Sequence, residues 1–191
     1  MNLKENPFFL DDRQIDWVSS TLNTLNLDEK IGQLFLVIGM VDSTDELLSM
    51  YENLKFGGIM FRPTESALLK DYVDALQDIA TVPLLVAANL EHGGSGALTD
   101  GTTFGSQMMA AATGNVKQAY RLGKVSAFEG RQVGVNLAFA PVCDIDRNWR
   151  NPITNTRTYG ADYKVVNAMC EAYMKGAFEE GIAVSVKHFP G

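Results

Sequence analysis

Short apolar runs alternate with amphipathic segments along most of the chain. Five runs lack the polar alternation of a half-exposed strand and are therefore predicted to be buried strands, at 33–40, 56–62, 84–89, 136–142 and 182–186. The segments between them carry apolar residues at helical spacing, most clearly at 64–80. Buried strands that alternate with helices are typical of a parallel sheet covered by helices on both faces.

Polar residues mark where the helices are expected to begin. Ser43 and Glu46 fit a capping box. Thr64 and Asp162 can each cap the helix that follows them. A further helix is predicted over 115–131, and its inner face consists mostly of small residues that would let it lie close to a sheet. By contrast, the Gly-, Ser- and Thr-rich stretch at 92–106 predicts a long loop.

This pattern leaves two architectures, a doubly wound sheet and a (β/α)8 barrel. No GxGxxG or GxxxxGK[ST] sequence follows the first strand, so the usual nucleotide sites are missing and the barrel is favoured. A complete barrel has eight strands and about 250 residues, whereas this chain has five predicted strands in 191 residues. We therefore predict an α/β fold that is a partial TIM barrel, in which residues 1–191 are the N-terminal portion of one incomplete domain.

Composition narrows the range of functions. Apolar residues make up 46% of the chain and charged residues 20%, as in an ordinary globular domain. A net charge of −7 without a Lys/Arg cluster argues against a nucleic-acid partner. No apolar run is long enough to cross a membrane and no secretory signal is visible, so no membrane partner and a cytoplasmic location are predicted. With two cysteines and two histidines, we expect no metal centre, and no organic cofactor is indicated.

Charged side chains follow the predicted strands, at the edge that carries function in both architectures. Glu91 comes after the third strand, Asp144 after the fourth, and Lys187 with His188 after the fifth. An ammonium and an imidazole at a strand end can offer hydrogen bonds to hydroxyls or to an anionic ligand. A surface lysine beside a hydrogen-bonded histidine is the alternative. A third reading makes Lys187 the Schiff-base nucleophile of an aldolase, with His188 as proton shuttle.

Arg157 lies in the polar loop between the fourth strand and the next helix. It could bind a ligand or simply pair with Asp144 or Asp146, which close the fourth strand. A strand-end carboxylate could in turn bind sugar hydroxyls or only orient this arginine. The residues alone leave these alternatives open.

Five segments together resemble a known family in order and spacing: LDEKIGQLFLVIG, FGGIMFR, NLAFAPVCDID, NPITNTRTYGAD and SVKHFPG. They are similar to the N-terminal barrel domain of glycoside hydrolase family 3, and the bacterial β-N-acetylglucosaminidase-like branch is the nearest likeness. The resemblance runs from about residue 27 to Gly191. It implies hydrolysis of O-glycosidic bonds and a carbohydrate substrate.

The resemblance also implies roles for particular residues. Lys187 and His188, before Phe-Pro-Gly, would bind the sugar in the subsite next to the cleaved bond. Arg157 would hold sugar hydroxyls. Asn89 stands where the family has an aspartate that hydrogen-bonds the sugar, and an amide both donates and accepts where a carboxylate only accepts.

Other departures occur in the same stretch. Leu90 replaces the usual glutamine, His92 is inserted before the glycines, and Ser95 stands where an arginine commonly follows. These departures put the sugar specificity in doubt. Glu91 and Asp144 are interpreted as further sugar-binding carboxylates rather than as attacking groups.

The mechanism that the resemblance implies is a retaining double displacement that releases a terminal β-linked sugar of the N-acetylglucosamine or glucose type. In the family the nucleophile is an aspartate on a later barrel strand. The acid/base, a His–Asp pair in the acetylglucosaminidase-like branch, lies on the loop just after the Lys-His-Phe-Pro-Gly segment. Both positions would fall beyond residue 191, so no catalytic residue is expected within this chain, which should be inactive alone.

Two further expectations follow from the partial barrel. Its unpaired strand edges favour edge-to-edge self-association of the isolated chain. A catalytically inactive carbohydrate-binding module is the alternative to a glycosidase. Whether water or phosphate accepts the glycosyl group stays open.

Overall fold

The computed structural model describes residues 2–189, so Pro190 and Gly191 of the Phe-Pro-Gly segment lie outside it. The helices within this range are α1 (Asp12–Thr24), α2 (Leu27–Gly32), α3 (Thr44–Leu54), α4 (Ser66–Ile79), α5 (Gln107–Ala112), α6 (Val116–Gln132) and α7 (Tyr163–Glu179). The strands are β1 (Leu36–Gly39), β2 (Gly58–Phe61), β3 (Leu85–Ala88), β4 (Leu137–Ala138) and β5 (Ala183–Val184). Each predicted strand is present, although β4 and β5 are much shorter than the apolar runs that contain them.

The strands form one parallel sheet in the order β1-β2-β3-β4-β5. Each strand pairs with its neighbour in sequence, so the order never reverses as it does at the switch point of a doubly wound sheet. The order is consistent with part of a (β/α)8 barrel and confirms the predicted fold class. Beyond a break in the ladder, β4 and β5 approach again where the amide N–H of Cys143 donates to the carbonyl oxygen of Lys187 at 2.7 Å.

The core lies between the sheet and its helices, and β2 is buried along its whole length. The prediction of a buried first strand was wrong for much of 33–40. Phe35 is 59% exposed and Met40 is 74% exposed. The reason is that β1, within residues 2–189, pairs on one side only and so leaves side chains uncovered.

Helices α6 and α7 pack against each other through glycines. A Cβ atom on Gly123 would lie 2.2 Å from the backbone oxygen of Tyr173, and one on Gly176 would lie 2.3 Å from that of Tyr120. The small face of α6 therefore serves mainly a close helix–helix contact rather than the predicted contact with the sheet. Gly130, in the last turn of α6, does face side chains next to the sheet, among them Leu90.

The predicted helix starts were correct in part. Asp162 caps α7, and Ser43 caps α3 by accepting from the amide of Glu46. In a capping box the carboxylate of Glu46 would accept from the amide N–H of Ser43. It accepts instead from the amide N–H of Asp42, so the predicted capping box is only half formed.

Thr64 does not cap α4. Glu65 is the N-cap residue and accepts from the amide N–H of Leu68. Thr64 instead pairs through its backbone with residues 97–99, which joins the end of β2 to the predicted loop.

The stretch at 92–106 is a loop with one short 3₁₀ turn at Gly94–Gly96, as predicted. Glu129 of α6 holds it by accepting from the amide N–H of Thr102 at 2.8 Å. Within residues 2–189, no helix combines the length and apolar content that crossing a bilayer requires.

Candidate functional site

The six residues singled out from the sequence meet at the carboxyl edge of the sheet. Asn89 and Glu91 follow β3, and Asp144 follows β4. Arg157 ends the 3₁₀ turn Asn155–Arg157 in the connection to α7, and Lys187 with His188 follows β5. Hydrogen bonds divide them into a cluster of four around Glu91 and a pair formed by Asp144 and His188.

Glu91 is the centre of the first cluster. Its Oε2 accepts from Nε of Arg157 at 2.8 Å, and its Oε1 accepts from Nη2 of Arg157 at 2.8 Å. Oε1 also lies 2.6 Å from Nζ of Lys187. The Glu91 side chain is only 10% exposed, so this is a largely buried carboxylate shared by two cations. Such charge-assisted, bidentate contacts fix both partners in one geometry.

The pKa of Glu91 reflects two opposing causes. Burial alone would raise it, but the hydrogen bonds and charges of Arg157 and Lys187 outweigh burial and hold the pKa below its ordinary value. The same pairing raises the pKa of Arg157. Glu91 is therefore an ionised anchor for the two cations.

Lys187 links Glu91 to Asn89. Its Nζ lies 3.0 Å from Oδ1 of Asn89, and its side chain is 15% exposed. The pairing of β4 with β5 sets its backbone, since the amide N–H of Lys187 donates to the carbonyl oxygen of Pro141. The lysine is therefore held at both ends, with Asn89 and Glu91 as its fixed partners.

Asp144 and His188 form the second part of the site. Oδ1 of Asp144 accepts from the backbone N–H of His188 at 3.0 Å, and Oδ2 lies 2.7 Å from Nδ1 of its ring. Because an ionised carboxylate only accepts, Nδ1 carries the hydrogen. In the neutral ring Nε2 is then an acceptor, and the half-exposed ring can offer it to a ligand hydroxyl. The two residues also line an open cavity of about 440 Å³ with the loop 144–154.

We predict that Asp144→Asn moves the ring hydrogen of neutral His188 from Nδ1 to Nε2, so that Nε2 becomes a donor instead of an acceptor. The new amide must accept from the backbone N–H through its oxygen, so its NH₂ group faces Nδ1 and forces the hydrogen onto Nε2. In the complete protein KM should rise about tenfold, the size of one lost hydrogen bond. Ring ¹⁵N chemical shifts of His188, assigned with His188→Gln, report the tautomer directly. Asp71→Asn on exposed α4 is the matched control, and an unchanged Nδ1–H signal in Asp144→Asn would contradict the assignment.

Of the alternatives for Arg157 that the sequence left open, the structure does not show the pair with Asp144 or Asp146. Arg157 contacts neither Asp144 nor Asp146 by a hydrogen bond but pairs with Glu91, 66 residues earlier. The carbonyl oxygen of Ile153 accepts from Nη1 at 3.1 Å and orients the third guanidinium nitrogen. This arginine is thus held by both the strand-end carboxylate and its own loop.

Two positioning residues were missed from the sequence. The hydroxyl of buried Tyr173, on α7, donates to the carbonyl oxygen of Leu90 at 2.5 Å and so fixes the backbone between Asn89 and Glu91. The buried hydroxyl of Thr158 donates to the carbonyl oxygen of Asp144. Nothing in the local sequence signals either contact, because both partners are distant in sequence and the acceptors are backbone atoms.

Three other reactive side chains near this edge are not part of the cluster. The ring of His92 makes a hydrogen bond to the hydroxyl of Ser95 at 3.1 Å. Burial raises the pKa of Cys170 to about 12, so its thiol stays protonated. The pKa of half-buried Cys143 is also raised, again mainly by burial.

A consecutive parallel sheet is consistent with a barrel-type α/β protein, and this polar cluster lies at the carboxyl edge, where such proteins carry their functional residues. Comparison with known proteins narrows this class. The family model described as glycosyl hydrolase family 3 N terminal domain matches residues 26–191. The chain belongs to this family.

Named relatives are consistent with the family. The chain is 46% identical over 191 residues to a beta-N-acetylglucosaminidase/beta-glucosidase of Cellulomonas fimi, covering 100% of this chain and 34% of the relative. A solved structure of the beta-glucoside phosphorylase BglX bound to 2FGlc is 41% identical, with a TM-score of 0.94 over 99% of this chain and 34% of that one.

A third likeness is the family 3 beta-N-acetylglucosaminidase of Paenibacillus sp. str. FPU-7, which is 31% identical with a TM-score of 0.80. The match covers 88% of this chain and 34% of the Paenibacillus chain. The chain thus spans about a third of the length of these relatives.

Proposed function

We propose that this chain supplies the sugar-binding face of a retaining glycosidase, and that the Glu91 cluster together with His188 binds the terminal sugar next to the cleaved bond. The observation that carries the proposal is the convergence of Lys187, Arg157 and Asn89 on Glu91 at the carboxyl edge of the sheet. Active sites of barrel enzymes lie at this edge. Fixed polar side chains of this kind suit ring hydroxyls, because each hydroxyl can both donate and accept.

The carboxylates of Glu91 and Asp144 are better suited to holding neighbouring side chains in place than to attacking the anomeric carbon of a sugar. Both oxygens of Glu91 accept charge-assisted hydrogen bonds, and both oxygens of Asp144 accept from His188. A nucleophilic carboxylate must aim an oxygen at the anomeric carbon, whereas these oxygens are aimed at neighbouring side chains, and a general acid needs a proton to give. We therefore place the nucleophile and the acid/base outside residues 1–191, in a later part of the same barrel.

The aldolase alternative is less well supported. Nζ of Lys187 is engaged by Glu91 at 2.6 Å and by Asn89 at 3.0 Å. A Schiff-base lysine must instead be free to react as the neutral amine. The ion pair suits a lysine that binds hydroxyls.

We also propose that residues 1–191 are the N-terminal portion of one incomplete barrel domain that continues beyond residue 191. Within residues 2–189, β1 and β5 each pair with one neighbour, and exposed apolar side chains such as Ile38 and Met40 lie along or beside β1. Further strands would cover these edges in a closed barrel. Without them, the isolated chain should associate edge to edge.

The substrate class follows from the relatives. Their names indicate N-acetylglucosaminides and glucosides, so we propose a terminal β-linked sugar of either type. Water is the proposed acceptor of the glycosyl group. Phosphate is a second candidate, since one solved relative is named a phosphorylase. The cytoplasmic location stays a prediction.

We predict that the protein expressed from its complete reading frame cleaves p-nitrophenyl β-N-acetylglucosaminide or β-glucoside, whereas the 191-residue chain does not. The reason is that the chain lacks the groups that form and break the covalent intermediate. Release of p-nitrophenol with and without phosphate, with sugar 1-phosphate measured in parallel, separates hydrolysis from phosphorolysis.

Each outcome bears on one part of the proposal. Turnover by the 191-residue chain at the rate of the complete protein would contradict the placement of the nucleophile. A complete protein that binds these sugars without cleaving them would favour the inactive binding module.

A further inference from the structure

We propose that Asn89 is a specificity-determining residue that points its amide hydrogens at the bound sugar, so that the hydroxyl it meets acts as a hydrogen-bond acceptor. The inference rests on the proposed function, because it assumes that the Glu91 cluster binds a sugar. It adds the direction of one hydrogen bond, which the identity of the residue alone leaves open.

Lys187 fixes the orientation of the Asn89 amide. A lysine ammonium has three donors and no acceptor, so the Asn89 atom 3.0 Å from Nζ must be the oxygen. Turning the amide over would place its NH₂ group against the ammonium. Lys187 cannot readily move away to allow this, since Glu91 holds the same Nζ at 2.6 Å. The NH₂ group of Asn89 therefore points away from Lys187.

The amide nitrogen has no protein acceptor among residues 2–189. Asn89 makes its one side-chain hydrogen bond in that range through Oδ1. The side chain is half-buried, and Nδ2 is not sealed from the surface. A partly buried N–H group that lacks a protein partner gains from an acceptor on a ligand, because leaving it unpaired costs free energy.

The surroundings reinforce the donor character of this side of the site. The carboxylate of Glu91 is already engaged by two cations, so it has little acceptor capacity for a sugar. Lys187 keeps one N–H beyond its two contacts. The acceptor is on the other side, where Nε2 of His188 has no protein partner among residues 2–189 and can accept when the ring is neutral, because Nδ1 faces Asp144. The site thus presents donors around Asn89 and, in the neutral ring, an acceptor at His188.

The inference is tested by replacing single sugar hydroxyls. Methyl β-glucosides with one hydroxyl changed to hydrogen, fluorine or an ammonium group are measured as competitive inhibitors of the complete protein at pH 6. Fluorine accepts weakly and cannot donate, an ammonium group only donates, and hydrogen does neither. At the position that meets Asn89, the fluoro analogue should bind within about threefold of the parent. The deoxy and ammonium analogues should bind about tenfold more weakly, the cost of one lost hydrogen bond.

Asn89→Asp should reverse this preference. A carboxylate keeps the contact with Lys187 but can only accept from the sugar. In the variant the fluoro analogue at that position should bind as poorly as the deoxy analogue, and the ammonium analogue should bind at least as well as the parent. Asn53→Asp, on the exposed surface of α3, adds the same charge away from the site and should leave the pattern unchanged.

The outcomes separate this inference from the proposed function. If the parent glucoside binds and fluorine is no better than hydrogen at every position, the inference is overturned while the proposed function stands. If neither the parent nor the matching N-acetylglucosaminide binds, both fail. Should Asn89→Asp not fold, Asn89→Ala decides, because fluorine and hydrogen should then bind equally well at that position, and a preference for fluorine that survives would overturn the inference.

Discussion

Replacing Glu91 by glutamine in the complete protein is expected to lower kcat/KM about a hundredfold and the free energy of unfolding by about 3 kcal/mol. Glutamine keeps the shape of the side chain but removes the charge that Arg157 and Lys187 share. Two partly buried cations then repel each other without a counterion, and both side chains, which we propose to bind the sugar, lose their fixed positions. A misplacement of about 1 Å is sufficient for such a loss of rate.

The measurement is kinetics on an aryl glycoside together with urea unfolding, and Glu52→Gln on the exposed face of α3 is the matched control. The loss in stability should depend on pH in a defined direction. The pKa of Glu91 is below its ordinary value of 4.5 in the folded protein. Its contribution is therefore fully present above about pH 4.5 and is lost as the pH falls through the folded pKa. A difference between the two proteins that grows in acid would contradict the pairing.

Gly123→Ala is expected to destabilise the complete protein by about 3 kcal/mol, although alanine favours a helix by about 1 kcal/mol over glycine. The new Cβ would lie 2.2 Å from the backbone oxygen of Tyr173. A backbone atom cannot rotate away as a side chain can, so α6 and α7 must separate. The hydroxyl of Tyr173 supports the backbone between Asn89 and Glu91, so the site should loosen as well.

Gly130→Ala is the matched control on the same helix. Its Cβ would lie 3.2 Å from the side-chain atom Cδ1 of Leu90, which can shift by a few tenths of an ångström. We expect its free energy of unfolding to stay within about 1 kcal/mol of the unaltered protein. Equal effects of the two substitutions in thermal or urea unfolding would show that the close helix contact does not limit stability.

Much of the fold could be predicted because the strands carry a local signal. Apolar runs without alternation located all of the strands between residues 33 and 186, and charged residues directly after them marked the edge where the candidate site lies. Burial of the first run could not be predicted this way. Its exposure depends on which strands flank it, and β1 has a neighbour on one side within residues 2–189.

The sequence predicted that the six candidate residues would lie at one edge of the sheet, but it did not predict the hydrogen bonds among them. Arg157, Asp144 and Asp146 lie within one polar loop, and this proximity made a local pair one of the alternatives. The structure brings Arg157 to Glu91 instead, because the end of β3 and the loop before α7 meet across the sheet edge. Local sequence carries no signal for that choice, which depends on how far each strand extends before its loop begins.

A crystal structure of the complete protein with its product sugar bound tests the proposed sugar site without an intermediate assumption. We expect ring hydroxyls at about 2.7–3.2 Å from Nζ of Lys187, Nδ2 of Asn89 and the guanidinium of Arg157, with Glu91 still between the two cations. A sugar seated elsewhere in the barrel, with those three groups touching only one another and water, would contradict it.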